Sequence, residues 1–218
     1  MLQLGLTGAV AGMMGSGLEL AFPSPAFAQS ALTPSAALDE LVAGNKRFTS
    51  GKMTAQTQDL AMLRKQTEGK QEPFAAVLGC ADSRVPVEIV FDQTIGQIFV
   101  TRVAGNIITP EIIGSLEYGA AVLGTKVILV MGHSNCGAVK ATIHGEEVPG
   151  QISSLFPHIQ PAIDQAGTDL VAATKANAKI QATLLSQAST VISGMVKSGK
   201  LKVIAGYYDL GSGSVTLL

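Results

Sequence analysis

Tryptophan is absent, cysteine occurs twice, and charged side chains make up only 14% of the 218 residues. The charges nearly cancel, fifteen basic against sixteen acidic for a formal net charge of −1, and no run of lysines or arginines occurs. That excludes the electrostatic footprint by which a protein holds nucleic acid or an anionic lipid surface. Repeats, linkers and low-complexity tracts are missing as well. Residues 29–218 are therefore expected to form one domain, long enough to bury roughly 70% of the surface its unfolded chain exposes. What remains open to such a chain is a small-molecule site.

The apolar N-terminal stretch is a poor membrane span. In MLQLGLTGAVAGMMGSGLELAFPSPAFAQS, Glu19, Pro23 and Pro25 interrupt it well short of the ~20 apolar residues a span needs. The segment ends in Ala26-Phe27-Ala28, small residues where a signal peptidase cuts. Residues 1–28 are thus expected to be an export segment, leaving a mature chain in the bacterial periplasm with no stable membrane span. No basic residue precedes the apolar part, which suggests a twin-arginine signal whose arginines lie upstream of Met1.

Past this segment, TPSAALDELVAGNKRF offers Thr33 as N-cap and Pro34 at the first helical position, with Leu38, Leu41 and Val42 on one face. That spacing predicts an amphipathic helix. Four short apolar runs follow at 74–79, 97–101, 126–132 and 202–208, separated by helix-like stretches such as GSLEYGAAVLG and the long Ala- and Leu-rich segment from Asp169. Runs of this kind are strands buried on both faces of a parallel sheet, which makes the fold class α/β. DLGSGSV after Tyr208 predicts a tight turn into a short antiparallel edge strand.

The chemistry concentrates in two fragments, LGCADSRVP at 78–86 and VMGHSNCGA at 130–138, each directly after a predicted strand and each carrying one of the two cysteines. In open α/β sheets functional groups gather at the carboxyl ends of the strands, so the two are expected to form halves of one site. Cys80, His133 and Cys136 suit a borderline-soft ion, and three protein ligands leave a fourth position for water, the pattern of a catalytic zinc. Asp82 would either fill that position or accept a hydrogen bond from its water. Arg84, two residues on along an extended segment, would pair with the Asp82 carboxylate through both guanidinium arms and keep it ionised. Zinc would supply the nucleophile by lowering the pKa of its water to about 7. A Cys80–Cys136 disulfide is the competing arrangement, and it leaves the flanking polar groups without a purpose. His144 and His158 are expected to be ordinary structural residues.

CADSR followed by GHSNC resembles the zinc signature of the β-class carbonic anhydrases, and LDELVAGNKRF, VTRVAGN and GSLEYGAAVLG stand in that family's order around it. The resemblance implies one Zn2+ per subunit on Cys80, His133 and Cys136, with Asp82 and Arg84 as a dyad gating the zinc-bound water. It implies a mostly parallel sheet with an antiparallel edge strand, assembled as a homodimer or a dimer of dimers in which N-terminal helices embrace the partner. Gln71 matches a glutamine that hydrogen-bonds bicarbonate, and Gly137 a glycine whose N–H faces the bound anion. Phe99, Ala104 and Tyr118 match the apolar CO2 pocket, built largely from the neighbouring subunit, although the family has valine where Ala104 stands. The implied reaction is reversible hydration of CO2 to bicarbonate and a proton. CS2 or COS hydrolysis on the same zinc site, or a non-catalytic zinc- or bicarbonate-binding module, are the alternatives. Some bacterial members close their site by turning the aspartate onto zinc and storing bicarbonate beside a tryptophan. Val77 occupies that position, while Val85 and Arg102 do match residues associated with the store. The missing tryptophan and the presence of Gln71 imply a site that is open at neutral pH.

Overall fold

A computed structural model describes residues 30–145 and 147–218; the expected export segment, 1–28, lies outside them. Helix α1 (Pro34–Thr49) begins as its sequence predicts: Thr33 Oγ1 accepts from Ala36 N (3.2 Å) and Pro34 occupies the first turn. Then come α2 (Leu60–Thr67), β1 (Ala75–Gly79), α3 (Val87–Val90) and β2 (Ile98–Arg102). Helix α4 (Pro110–Glu117) follows, then β3 (Val127–His133), α5 (Gly137–His144), α6 (Phe156–Ala166), α7 (Leu170–Ala188), α8 (Thr190–Lys197), β4 (Lys202–Tyr208) and β5 (Val215–Leu217). Among the described residues no helix is long and apolar enough to cross a membrane.

The strands form one sheet in the order β2-β1-β3-β4-β5, parallel except for β5, which pairs antiparallel with β4. Strands β1 and β3 are buried along their whole length because helices cover both faces. The side chains alternate between two cores. Ala75, Val77, Val127, Leu129 and Met131 join Leu41 of α1 and Val87 of α3 on one side. Ala76, Leu78, Ile128 and Val130 join Leu116 of α4, Leu185 of α7 and Ile192 of α8 on the other. Edge strand β2 is only half-buried.

Two features depart from the sequence expectation. The long helical segment after Asp169 is two helices, broken at Ser189, whose backbone is extended and whose Oγ caps α8 by accepting from Ile192 N (3.0 Å) while donating to Glu117 Oε1. GSLEYGAAVLG continues past α4 as a single wide π turn, Tyr118–Val122, which brings Tyr118 beside Phe99.

Close approach fixes α1. At Gly44 a Cβ would lie 1.9 Å from the carbonyl oxygen of Phe91, so only glycine fits. The next residue, Asn45, donates to the carbonyls of Val90 and Gly213 and accepts from Val215 N, tying α1 to the β4–β5 turn. Beside it the buried Asp92 carboxylate accepts from Arg47 Nε, Thr54 Oγ1 and the N–H groups of Thr54 and Ala55. Burial opposes its charge, but these donors outweigh burial and hold its pKa at about 2, below 3.8. A depressed carboxylate stabilises the fold above its unfolded pKa and loses that contribution as pH falls through the folded value. The shift from 3.8 to about 2 corresponds to about 2 kcal/mol. Asp92→Asn is therefore expected to lower stability by about 2 kcal/mol at pH 7 in urea denaturation, and to flatten the loss of stability between pH 4 and pH 2. Equal stability of the two proteins at pH 7 would show that the carboxylate contributes nothing.

Candidate metal centre

Strands β1 and β3 are neighbours, with Leu78 beside Val130, so the residues leaving their carboxyl ends emerge side by side. Cys80 directly follows β1. His133 ends β3, and Cys136 caps the start of α5. Between them Asn135 adopts a left-handed conformation (φ 55°), the bend that turns the chain from His133 back to Cys136; asparagine tolerates it better than most residues. The Sγ atoms of Cys80 and Cys136 and a ring nitrogen of His133 all lie within 4.8 Å of one another, and all three residues are buried. Both cysteines are free thiols, so the two fragments meet without a disulfide.

The donor set fits zinc. His133 Nδ1 lies 2.9 Å from the carbonyl oxygen of Ser134, and because a carbonyl only accepts, the ring proton sits on Nδ1 and leaves the Nε2 lone pair facing the cluster. That Nε2 is buried with no hydrogen-bond partner, which is costly unless an ion binds it. Two sulfurs and one imidazole nitrogen are the ligands of a zinc site with one open position. The hydrogen bond from Cys136, with the N–H of Gly105 in support, holds the Cys80 thiol well below its ordinary pKa, against the effect of burial. Cys136 is pushed up in turn, by its bond to Cys80 and by burial.

Asp82 and Arg84 pair at the mouth of this cluster. Arg84 Nε donates to Asp82 Oδ1 (2.9 Å) and Nη2 to Oδ2 (2.7 Å). The segment is a turn rather than the extended stretch expected: Arg84 N bonds to Asp82 Oδ1 (2.9 Å) and Val85 N to the Asp82 carbonyl (3.1 Å). An aspartate folding its carboxylate onto its own backbone two residues ahead makes this turn. Arg84, through its side-chain hydrogen bonds first and its N–H second, holds the Asp82 carboxyl far below the usual carboxylate range. Asp82 Oδ2 stands 3.9 Å from His133 Nε2, beyond hydrogen-bond reach. Arg84 Nη2 also reaches the carbonyl of Asn135 (3.3 Å) and so bridges the two fragments.

Other predicted residues are more dispersed. Gly137 opens α5 beside Cys136, exposed, and a Cβ there would meet nothing within 4 Å. Ala104 sits in the short turn after β2 whose next residue, Gly105, donates its N–H to Cys80 Sγ (3.4 Å). Phe99 and Tyr118 lie with ring centroids 6.3 Å apart, and Tyr118 shares a groove with Gln71, Ile95 and Leu123. None of the three cluster residues lines that groove.

Sequence reasoning missed Gly105 as a donor to sulfur. Its positive φ (74°) and its carbonyl, bonded to Asn177 of α7 (2.8 Å), fix the turn, and a Cβ there would come 2.8 Å from Ile159. Gln181 completes the support by donating to Asn177 Oδ1 and accepting from Ile108 N. The available signal was two amides four residues apart in an otherwise Ala- and Leu-rich helix.

A family model described as carbonic anhydrase matches residues 75–215. A carbonic anhydrase of Mycolicibacterium smegmatis is 36% identical over 193 residues, covering 84% of this chain and 93% of its own. Carbonic anhydrase 2 of Mycobacterium tuberculosis is 32% identical, covering 84% and 92%. Among solved structures, a β-carbonic anhydrase of Aspergillus fumigatus superposes with a TM-score of 0.68 at 26% identity, covering 84% of this chain and 89% of that one. One of two tetrameric β-carbonic anhydrases of Sordaria macrospora also gives 0.68, at 20% identity, covering 84% and 94%, a likeness of fold alone.

Proposed function

The chain belongs to the β-class carbonic anhydrases, and from that membership we propose that it catalyses zinc-dependent, reversible hydration of CO2 to bicarbonate and a proton. One observation carries the proposal most directly: a buried, partnerless imidazole nitrogen faces two thiols within 4.8 Å, beside a carboxylate locked by a guanidinium. Cys80, His133 and Cys136 would hold the ion, which when bound supplies a nucleophile at neutral pH by lowering the pKa of its water to about 7.

The chain's own residues do the rest. Asp82, kept ionised by Arg84, can only accept hydrogen bonds; it takes the O–H of the attacking oxygen and turns the remaining lone pair toward CO2. Arg84 contributes by fixing that carboxylate rather than by touching substrate. Gly137 is the first residue of α5, where backbone N–H groups have no intrahelical partner, so its N–H is available to the anionic product. Gln71, Phe99 and Tyr118 lie away from the cluster of their own chain, which fits their serving the site of the partner subunit in a homodimer or a dimer of dimers, with Ala104 completing the apolar pocket.

Stopped-flow CO2 hydration and a zinc measurement on the same sample test the proposal. The expected result is one zinc per chain and hydration that disappears when zinc is chelated and returns when it is restored. A zinc-loaded protein that hydrolyses CS2 or COS but leaves CO2 untouched overturns the substrate, and one inert to all three gases overturns the enzyme reading. We further propose export of a mature chain beginning near Gln29. Sequencing the N-terminus of protein taken from its native cell checks this, and an intact N-terminus on a cytoplasmic pool contradicts it.

A further inference from the structure

We propose that Arg102 is a positioning residue that clamps the turn carrying the first metal ligand and the aspartate of the dyad; the inference rests on the zinc reading above. The last ladder bond between β1 and β2 is donated by Val103 N to the Gly79 carbonyl (3.2 Å). Beyond it the backbone of Cys80, Ala81 and Asp82 leaves the sheet, and no neighbouring strand remains to bind its carbonyls. The Arg102 side chain takes over that task. Its Nε donates to the carbonyl of Cys80 (2.8 Å) and its Nη2 to the carbonyl of Asp82.

A planar guanidinium with donors at fixed spacing suits two carbonyls that are two residues apart, and it holds both at once. The Asp82 carbonyl accepts from Val85 N as well, so both its lone pairs are used and the peptide plane has little freedom to rotate. The same short segment thus grips the first ligand turn from two sides, through the Arg102 side chain on the carbonyls and the Gly105 N–H on Cys80 Sγ. A rotation of either peptide would move the sulfur out of the cluster or the Asp82 carboxylate off Arg84. Arg102 touches neither the metal ligand atoms nor the Asp82 carboxylate oxygens, so its role differs from that of Arg84.

The test compares Arg102→Met and Arg102→Lys with the wild-type protein, using zinc affinity from competition with a chelator, hydration per bound zinc, and thermal stability. Loss of an outer-shell support typically costs roughly 10–100-fold in metal affinity or activity, and Arg102→Met is expected in that range in both. Lysine keeps the charge but offers one point of donation, so Arg102→Lys is expected to fall between the two. If Arg102→Met does not fold, Arg102→Lys decides alone. Cobalt substituted for zinc gives a readout that general destabilisation does not move, because its thiolate-to-metal absorption reports ligand geometry; a displaced band is expected in both variants.

Zinc affinity, activity per zinc and the cobalt band all unchanged in Arg102→Lys would overturn the clamp, whatever happens to its melting temperature. Weakened inhibition by bicarbonate with unchanged zinc affinity would overturn it too, and would make Arg102 an anion-binding residue. Failure of the zinc reading itself is distinguishable, since then the wild-type protein also binds no zinc.

Discussion

Cys136→Ser is expected to purify without zinc and to hydrate CO2 no faster than buffer. The serine hydroxyl nearly matches the thiol in size and falls at the cap of α5, where serine is a favoured residue, so the fold has little reason to fail. What disappears is the soft anionic ligand. A serine hydroxyl remains protonated at neutral pH and cannot replace thiolate at a wholly buried position. The loss should exceed the roughly 10–100-fold that outer-shell changes produce, because one of only three protein ligands is gone. His133 Nε2 would then be left beside a single thiol and a neutral hydroxyl. Elemental analysis and hydration measured on one preparation check this. Full zinc occupancy in the variant, or a Cys80–Cys136 disulfide in active wild-type protein, would refute the ligand assignment.

These ligands could be found from sequence because each lies at or just past the carboxyl end of a strand whose own signal is strong. AAVLG and VILVMGH are apolar on both faces, which only a central parallel strand requires, and once β1 and β3 are neighbours their carboxyl ends must converge. The Thr33–Pro34 start of α1 was legible for a similar reason, since capping is local. Long-range roles were not. Nothing adjacent to Arg102 shows that its side chain reaches back twenty or more residues to Cys80 and Asp82, nor that Asn177 and Gln181 of α7 support the Gly105 turn. The break at Ser189 was hidden because serine also occurs within helices, its hydroxyl bonding back to the preceding turn; the half-buried Glu117, which accepts from Ser189 Oγ, is distant in sequence and gives no local signal. Gln71 and Tyr118 match family positions individually, yet their groove lies apart from the cluster, a separation that only the fold displays.

Arg84→Lys is expected to keep its zinc while losing roughly 10–100-fold in CO2 hydration, the range observed when support around a metal site is removed. Lysine retains the positive charge, so the effect isolates geometry. Arg84 holds both carboxylate oxygens of Asp82 and reaches the Asn135 carbonyl, whereas an ammonium group meets one of these at a time. With one oxygen released, Asp82 Oδ2, already only 3.9 Å from His133 Nε2, is free to swing toward the metal position and compete with water there. In the wild-type protein Arg84 holds the Asp82 carboxyl well below its usual range, so the carboxylate stays ionised and paired throughout neutral pH. The residues a bicarbonate store would use are otherwise engaged. Val77 and Val85 are wholly buried in the core beneath α1 and α3, and the Arg102 guanidinium is bonded to backbone carbonyls. Hydration by the wild-type protein should therefore show no cooperative inhibition by bicarbonate near pH 7, whereas Arg84→Lys should lose activity as Asp82 competes for the open position. Unchanged turnover in Arg84→Lys would remove the dyad from the reaction. A crystal structure of the zinc-loaded wild type near pH 7 with Asp82 bound to the metal would mean that Val85 and Arg102 suffice to close the site without a tryptophan.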